Sequence, residues 1–116
     1  MKLDNDIVRT ILLQVEEDVD GVVNYSIRSY CEEMFPNCNV DKTTYHMKYL
    51  IDAGFMQAAN GYFIDITPKG RDFLNNVRDD GIWNETKKAV KPMGTVAIGI
   101  VSEIAASIVK KTFNLP

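Results

Sequence analysis

The chain has too few metal-binding side chains for the common structural metal sites. Cys31, Cys38 and His46 are its only cysteines and its only histidine, whereas a structural zinc site needs four ligands at characteristic spacings. We therefore interpret both cysteines as reduced structural thiols. For His46 we favour a hydrogen-bonded structural residue over a proton switch or a lone metal ligand.

The usual elements of a catalytic centre are also missing. The chain has no glycine-rich phosphate-binding loop, and no pair of acids stands in an apolar setting as a general acid and base. With a single histidine, no arrangement of nucleophile and base is recognisable. We expect no catalytic residues, no metal and no cofactor, and therefore a protein that is not an enzyme.

Long apolar runs are absent as well. The most apolar segment, VAIGIVSEIAASIV at residues 96–109, contains Glu103 and falls short of the roughly 20 apolar residues that cross a bilayer. No charged leader with an apolar core precedes Asp4. We therefore expect a cytoplasmic protein with no membrane partner.

The composition predicts one globular domain with an uneven charge distribution. The chain has 116 residues, of which 46% are hydrophobic and 25% charged, and its net charge is −3. Residues 1–36 carry eight acids against three basic residues, whereas residues 81–116 carry five lysines against two acids. Because sequence-blind DNA affinity comes mainly from basic residues that release counterions from phosphates, any DNA contact must be local and specific.

The first third of the chain predicts two helices. Apolar residues at three- and four-residue spacing predict a first helix that Asp4 or Asp6 can cap. Ser26 begins a second helix, which must end before Pro36 because proline disfavours a helical residue ahead of it. Between them, residues 22–25 are long enough only for a small strand.

A third helix, a hairpin and a fourth helix follow without interruption. Asp41 and Thr43 offer capping oxygens for the third helix, and Gly54 ends it. Asn60–Gly61 is the dipeptide best suited to a two-residue hairpin turn. Thr67 then caps a fourth helix.

The order of these elements is typical of a winged helix. The predicted fold class is mainly α with a small β-hairpin, built as a winged helix-turn-helix core with a C-terminal helical extension. We assign residues 1–80 to the winged-helix domain. Residues 81–116 form the extension, which packs on the core or on a second subunit.

Three stretches carry a resemblance to a known family. They are LDNDIVRTILLQVEE near the start, YHMKYLIDAGFM at residues 45–56, and ITPKGRDFLNNVRDDGIWNETKK at residues 66–88. With these stretches the chain resembles domain-of-unknown-function family 2513, which recurs in phages, prophages and their mostly Gram-positive hosts. The resemblance implies a winged-helix core and a mobile-element setting, but no activity. The first half is also similar to the helix-turn-helix segment of arsenic-repressor-like regulators.

The third helix supplies the candidate DNA-binding residues, which combine hydroxyl, cationic and aromatic groups: Lys42, Thr44, Tyr45, Lys48 and Tyr49. Such groups can contact phosphates and base edges if the helix lies in a major groove. The alternative is an ordinary solvated helix face on which Asp41 and Asp52 cancel the two lysines. The hairpin segment QAANGYF has no Lys or Arg to assist.

The extension supplies the candidate interface residues: Trp83, Ile100, Ile104 and Ile108. Trp83 either anchors the extension on the core or forms the hot spot of an interface. The isoleucines form an apolar stripe that can pack on the core, pair with a second copy or dock on a partner. A basic cluster is formed by Lys87, Lys88 and Lys91. It can contact a DNA backbone or an anionic protein surface, or it can simply keep a helix solvated.

Two functions remain open from the sequence. The first is a sequence-specific DNA-binding regulator whose partner is double-stranded DNA, with a homodimer formed through the last helix. The second is a non-enzymatic interaction module that acts on a host or phage protein. The acidic charge and the uncharged hairpin favour the second, and the pattern of the third helix favours the first.

Overall fold

The computed structural model of the chain describes residues 1–18, 26–59 and 63–116. Within them lie helices α1 (Asn5–Glu17), α2 (Ile27–Met34), α3 (Val40–Asp52), α4 (Pro68–Val77), α5 (Asp80–Val90) and α6 (Ile98–Thr112), and strands β1 (Met56–Ala59) and β2 (Phe63–Ile66). The predicted fold class, mainly α with a small hairpin, is confirmed. The strand predicted at residues 22–25 and the Asn60–Gly61 turn lie outside the described residues.

Side-chain caps begin most of these helices where the sequence predicts them. Asp4 accepts from two amides in the first turn of α1, Ser26 accepts from the Ser29 amide, and Thr67 caps α4. The prediction for α3 is wrong, because Asn39 caps this helix instead of Asp41 or Thr43. The hydroxyl of Thr43 instead bonds to backbone carbonyls one turn earlier in the chain, which Ser and Thr side chains inside helices commonly do.

The two strands of the hairpin pair in a register that differs by one residue from the register that the predicted two-residue turn would give. Met56 lies opposite Ile66 and Ala59 opposite Phe63, so that three residues separate the paired ends. A two-residue turn would place Asp65 opposite Met56, on the side of the hairpin that is buried. Since a shift of one residue moves every side chain to the other face, burial of the apolar side chains selects the observed register.

A single apolar cluster runs through both the predicted core and the predicted extension. Its members from the first 80 residues are Val8, Ile11, Leu12, Val15, Tyr30, Cys31, Phe35, Met47, Leu50, Phe55, Met56, Ile64, Ile66, Phe73, Leu74 and Val77. Trp83, Val90, Ile98, Val101 and Ala105 continue the cluster into α5 and α6. The division at residue 80 remains a prediction.

Arg9 of α1 stabilises the junction between α4 and α5. Its guanidinium donates to the carbonyls of Val77 and Arg78, each at 2.8 Å, and pairs with Asp80 at 2.9 Å. The last carbonyls of a helix have no partner within the helix, and a cation beside them is favourable. Arg9 therefore satisfies the end of α4 while it ties both helices to α1.

The extension turns back so that α6 packs on α4 and α5. A short 3₁₀ turn at Lys91–Met93 and Gly94, with φ +75°, separates α5 from α6. The buried side of α6 consists of Ile98, Val101 and Ala105. The sequence left open whether this helix packs on the core, pairs with a second copy or docks on a partner. The structure shows it packed on the core of its own chain. Among the described helices, none is long and apolar enough to span a bilayer.

Candidate nucleic-acid interface

Three of the predicted DNA-binding residues share the solvent-facing side of α3. Lys42, Tyr45 and Lys48 follow one another at three-residue spacing, which places them within one sector of the helix. Tyr45 is 37% exposed, Lys48 is exposed and Lys42 is half-exposed. The structure therefore brings together a phenol and two ammonium groups on an accessible helix face.

Thr44 does not belong to this face, and its prediction as a DNA contact is corrected. Its side chain is buried beside the Cys31 thiol. Burial raises the pKa of the Cys31 thiol, and the neighbouring Thr43 and Thr44 hydroxyls oppose this shift only in part. A buried thiol with a raised pKa is inert, which fits a structural role for Cys31.

Tyr49 is also engaged inside the molecule. It is half-buried, and its hydroxyl accepts a hydrogen bond of 3.2 Å from the Ile98 amide at the start of α6. This amide is in the first turn of a helix and has no partner within that helix. Tyr49 therefore holds the start of α6 beside α3, and we leave it out of the DNA-facing set.

His46 fastens the beginning of α1 to α3. Its ring is fully buried, Nε2 accepts from the Asp4 amide at 2.8 Å, and Nδ1 lies 2.7 Å from the Lys42 carbonyl. Since a carbonyl only accepts, Nδ1 must carry the proton, and the lone pair of Nε2 accepts the hydrogen bond from the Asp4 amide. His46 is thus a hydrogen-bonded structural residue.

The charges around the α3 face are mostly paired. Asp41 binds Arg28 of α2 at 2.8 Å, and the Lys42 ammonium lies 3.7 Å from the Asp4 carboxylate. Lys48 forms no ion pair with any group in the described part of the chain. Exposed ion pairs contribute little to stability, so a phosphate can replace these carboxylates at little cost.

Arg28 is the residue that sequence reasoning missed at this surface. It lies in the first turn of α2, is exposed, and reaches α3 through Asp41. A signal was present, since it is the only arginine between Ser26 and Asp65. The helix pattern alone does not show that α2 presents it toward α3.

Trp83 is a buried anchor, which is the first of the two roles that the sequence left open for it. It is 3% exposed, its indole N–H donates to Asp6 at 2.9 Å, and its ring meets Phe73 edge to face. The cationic groups of Arg9 and Lys87 each lie 5.7 Å from the indole ring centroid. Trp83 therefore joins α5 to α1 and α4.

Ile100, Ile104 and Ile108, the other predicted interface residues, lie along the flank of α6. Ile100 is 42% exposed, and the other two are half-buried. Ile98, Val101 and Ala105 face the core, so the buried stripe is rotated away from the three isoleucines. The three isoleucines form a partly open apolar flank.

Acid should weaken the contacts that tie α1 to the C-terminal helices. Burial opposes ionisation of Asp6, but hydrogen bonds from Lys87 and Trp83 outweigh it and lower its pKa. The Arg78 hydrogen bond lowers the pKa of Glu16. A lowered folded-state pKa stabilises the protein above the usual carboxyl pKa, and this stability is lost as the pH falls through the lowered value.

We therefore expect the free energy of unfolding to fall between about pH 5 and about pH 2, the window in which such carboxylates become protonated. Urea titrations at several pH values measure it. The double variant Asp6→Asn, Glu16→Gln should be less stable at neutral pH and show a shallower decline with acid. A decline equal to that of the wild type would show that these two carboxylates do not govern acid stability.

Comparison with known proteins finds a family and a relative that match most of the chain. Residues 2–97 match the family described as Hypothetical protein (DUF2513). A Haemophilus influenzae protein, described as an uncharacterized protein, is 23% identical over 120 residues, which cover 96% of this chain and 98% of the relative. No solved structure matches. Because the family match covers most of the chain, the protein belongs to the DUF2513 family.

Proposed function

We propose that the protein is a non-enzymatic, sequence-specific DNA-binding regulator, in which α1 to α3 and the hairpin form a winged helix. In this proposal α3 is the recognition helix. One observation carries it: Lys42, Tyr45 and Lys48 share an exposed sector of a helix whose opposite side is buried in the core. Such a helix can enter a major groove, which is about 12 Å wide.

The charge on this surface suits local contacts better than general attraction. Lys48 is free to donate to base edges or a phosphate, and Tyr45 adds a hydroxyl beside it. Arg28 and Lys42 can exchange their exposed carboxylate partners for phosphates. Around them, Asp41 and Asp52 repel DNA that is not held by specific contacts, which favours selectivity over affinity.

Selection from a random duplex library, at low salt and then at physiological salt, tests whether the protein reads sequence. We expect an enriched motif that survives the increase in salt. The triple variant Lys42→Gln, Tyr45→Ala, Lys48→Gln should bind this motif at least about 30-fold more weakly, because base contacts are worth about 1–3 kcal/mol each. Fluorescence anisotropy measures the loss.

A matched control separates the effect of the α3 side chains on DNA affinity from the effect of the protein's net charge. Lys110 and Lys111 lie exposed at the end of α6, and replacing both with Gln removes the same two charges. This variant should bind the motif as the wild type does, and circular dichroism should show both variants folded. Equal binding by the triple variant and the wild type would refute the assignment of α3.

A variant that is expected to bind DNA more tightly is a second test of the same surface. Asp41→Asn removes a negative charge from the first turn of α3 and releases Arg28. Its DNA affinity should rise several-fold. Glu103→Gln, an equal charge change at an exposed position on α6, is the control and should change little. The proposal requires that the two variants differ.

A protein-interaction role is the second candidate, and the open flank of α6 favours it. Ile100, Ile104 and Ile108 leave apolar surface accessible, and Met93 beside the start of α6 is 56% exposed. A partner helix could cover this flank. Failure to enrich any duplex at low salt would favour this role, as would loss of a captured partner in the variant Ile100→Glu.

A further inference from the structure

The outer face of α5 carries free basic side chains that the α3 site does not use. Asn84 and Lys88 of α5, and Lys91, which caps the end of this helix, recur at four- and three-residue spacing and are all exposed. With Lys87 they border a shallow groove of about 350 Å³. Lys88 and Lys91 pair with no carboxylate among the residues that the structure describes, so their charges are available to an anionic partner.

Contacts around the start of α1 connect α5 to α3. Lys42 of α3 lies 3.7 Å from Asp4, whose other oxygen accepts from the Asp6 amide at 3.0 Å. Asp6 in turn binds Lys87 of α5 at 3.0 Å. The Tyr49–Ile98 hydrogen bond makes a second connection from α3 to the segment that follows α5. The start of α1 and the segment after α5 therefore connect α3 to the C-terminal half of α5.

The hairpin does not offer comparable charges. Residues 56–66 contain no Lys or Arg. The nearest cations behind it are occupied, since Arg71 pairs with Asp65 at 3.0 Å and the Lys69 ammonium lies 4.9 Å from the Phe55 ring centroid. A winged helix that holds DNA by α3 needs backbone contacts from another element, because phosphate contacts fix orientation on the duplex.

Building on the proposed function, we infer that the α5 face formed by Asn84, Lys88 and Lys91 binds the phosphate backbone of the duplex that α3 reads. This face supplies the phosphate contacts that a basic hairpin would otherwise make. Lys88 and Lys91 are separated by about 4.5 Å along the helix axis. Successive phosphates of one strand are separated by about 3.4 Å along the duplex axis. Two neighbouring phosphates are therefore within reach of the two lysines.

Phosphate contacts have a signature that base contacts lack, and it makes the inference testable. Each phosphate contact contributes about −0.9 to the slope of log affinity against log salt concentration. If Arg28 and Lys42 also contact phosphates, as proposed above, the wild-type slope should be about −3.6, and the α5 variant Lys88→Gln, Lys91→Gln should show about −1.8. Its preferred sequence should not change, since phosphate contacts carry no sequence information.

The experiment compares four proteins on the selected duplex and on a scrambled duplex across a range of salt. They are the wild type, the α5 variant, the α3 triple variant, and the Lys110→Gln, Lys111→Gln control. We expect the α5 variant to lose about tenfold or more in affinity for both duplexes with a reduced slope. The control should match the wild type, and circular dichroism should show all four folded.

The outcomes distinguish this inference from the function on which it rests. If the α3 variant loses binding while the α5 variant matches the control, the α5 face does not contact DNA but the proposed function stands. If the α5 variant loses binding and the α3 variant does not, the α5 contact stands and the recognition role of α3 fails. A wild type that binds no duplex at low salt overturns both.

Discussion

The variant Gly70→Ala is expected to lose more than about 3 kcal/mol of stability or to fail to fold, a large effect for a single methyl group. Gly70 lies in the first turn of α4, where a Cβ atom would stand 2.0 Å from the Phe55 carbonyl oxygen and 2.7 Å from Ile66 Cγ2. Neither distance is attainable without moving the backbone.

The backbone around Gly70 has little freedom to move. The Gly70 amide donates to the Thr67 hydroxyl at 3.1 Å, and the Phe55 carbonyl accepts from the Thr67 amide at 3.2 Å. Phe55 itself is fully buried and meets Phe73 edge to face. Relief of the clash would separate the hairpin from α4 and open the core, which is the usual cost of overpacking.

Gly99→Ala provides a matched control within the same chain. Gly99 is in α6, and a Cβ there would meet no atom within 4 Å. Alanine favours a helix over glycine by about 0.5–1 kcal/mol, so this variant should be slightly more stable. Urea unfolding followed by circular dichroism measures both variants. An unfolding midpoint for Gly70→Ala close to that of the wild type would disprove the close approach of α4 to the hairpin.

The variant Trp83→Ala should lose about 3–5 kcal/mol, the range for removing a buried large aromatic side chain. The indole contacts α4 through Phe73 and α1 through its hydrogen bond to Asp6. Its removal leaves a cavity where three helices meet. Since α5 and α6 join the core partly through this ring, we expect protease cleavage near residues 91–97 to become faster than in the wild type.

Trp83→Phe separates the packing of the ring from its hydrogen bond. Phenylalanine keeps an aromatic ring beside Phe73 but cannot donate to Asp6, so the expected loss is smaller, about 1–2 kcal/mol. Chemical denaturation of the two variants gives the difference. Equal losses would mean that the hydrogen bond, and not the packing, holds α5 against α1.

Local signals in the sequence predicted the helices and the hairpin well. Ser26 caps a helix that ends before Pro36, and Thr67 with Pro68 begins another, because a capping oxygen and a proline each act on the backbone of their own turn. Such preferences depend on a few neighbouring residues. They can therefore be read without knowing what packs on the helix.

Predictions failed where neighbouring residues offered equivalent choices. Asn39, Asp41 and Thr43 all carry capping oxygens within four residues, and packing of α3 on the core selects Asn39. On the same helix, Thr44 lies at the edge of the buried stripe, and Tyr49 is covered by the start of α6. Periodicity predicts one buried side, but the neighbouring elements decide how far that side extends.

The sequence by itself determined the helical elements, the presence of a hairpin, and the concentration of basic residues in the last third. Only the tertiary structure decided which charges are free. Arg9 reaches Val77 and Arg78, and Arg78 reaches Glu16, across more than 60 residues of chain. An ion pair of this kind forms because packing of apolar faces brings distant helices together, and no pattern along the chain encodes that distance.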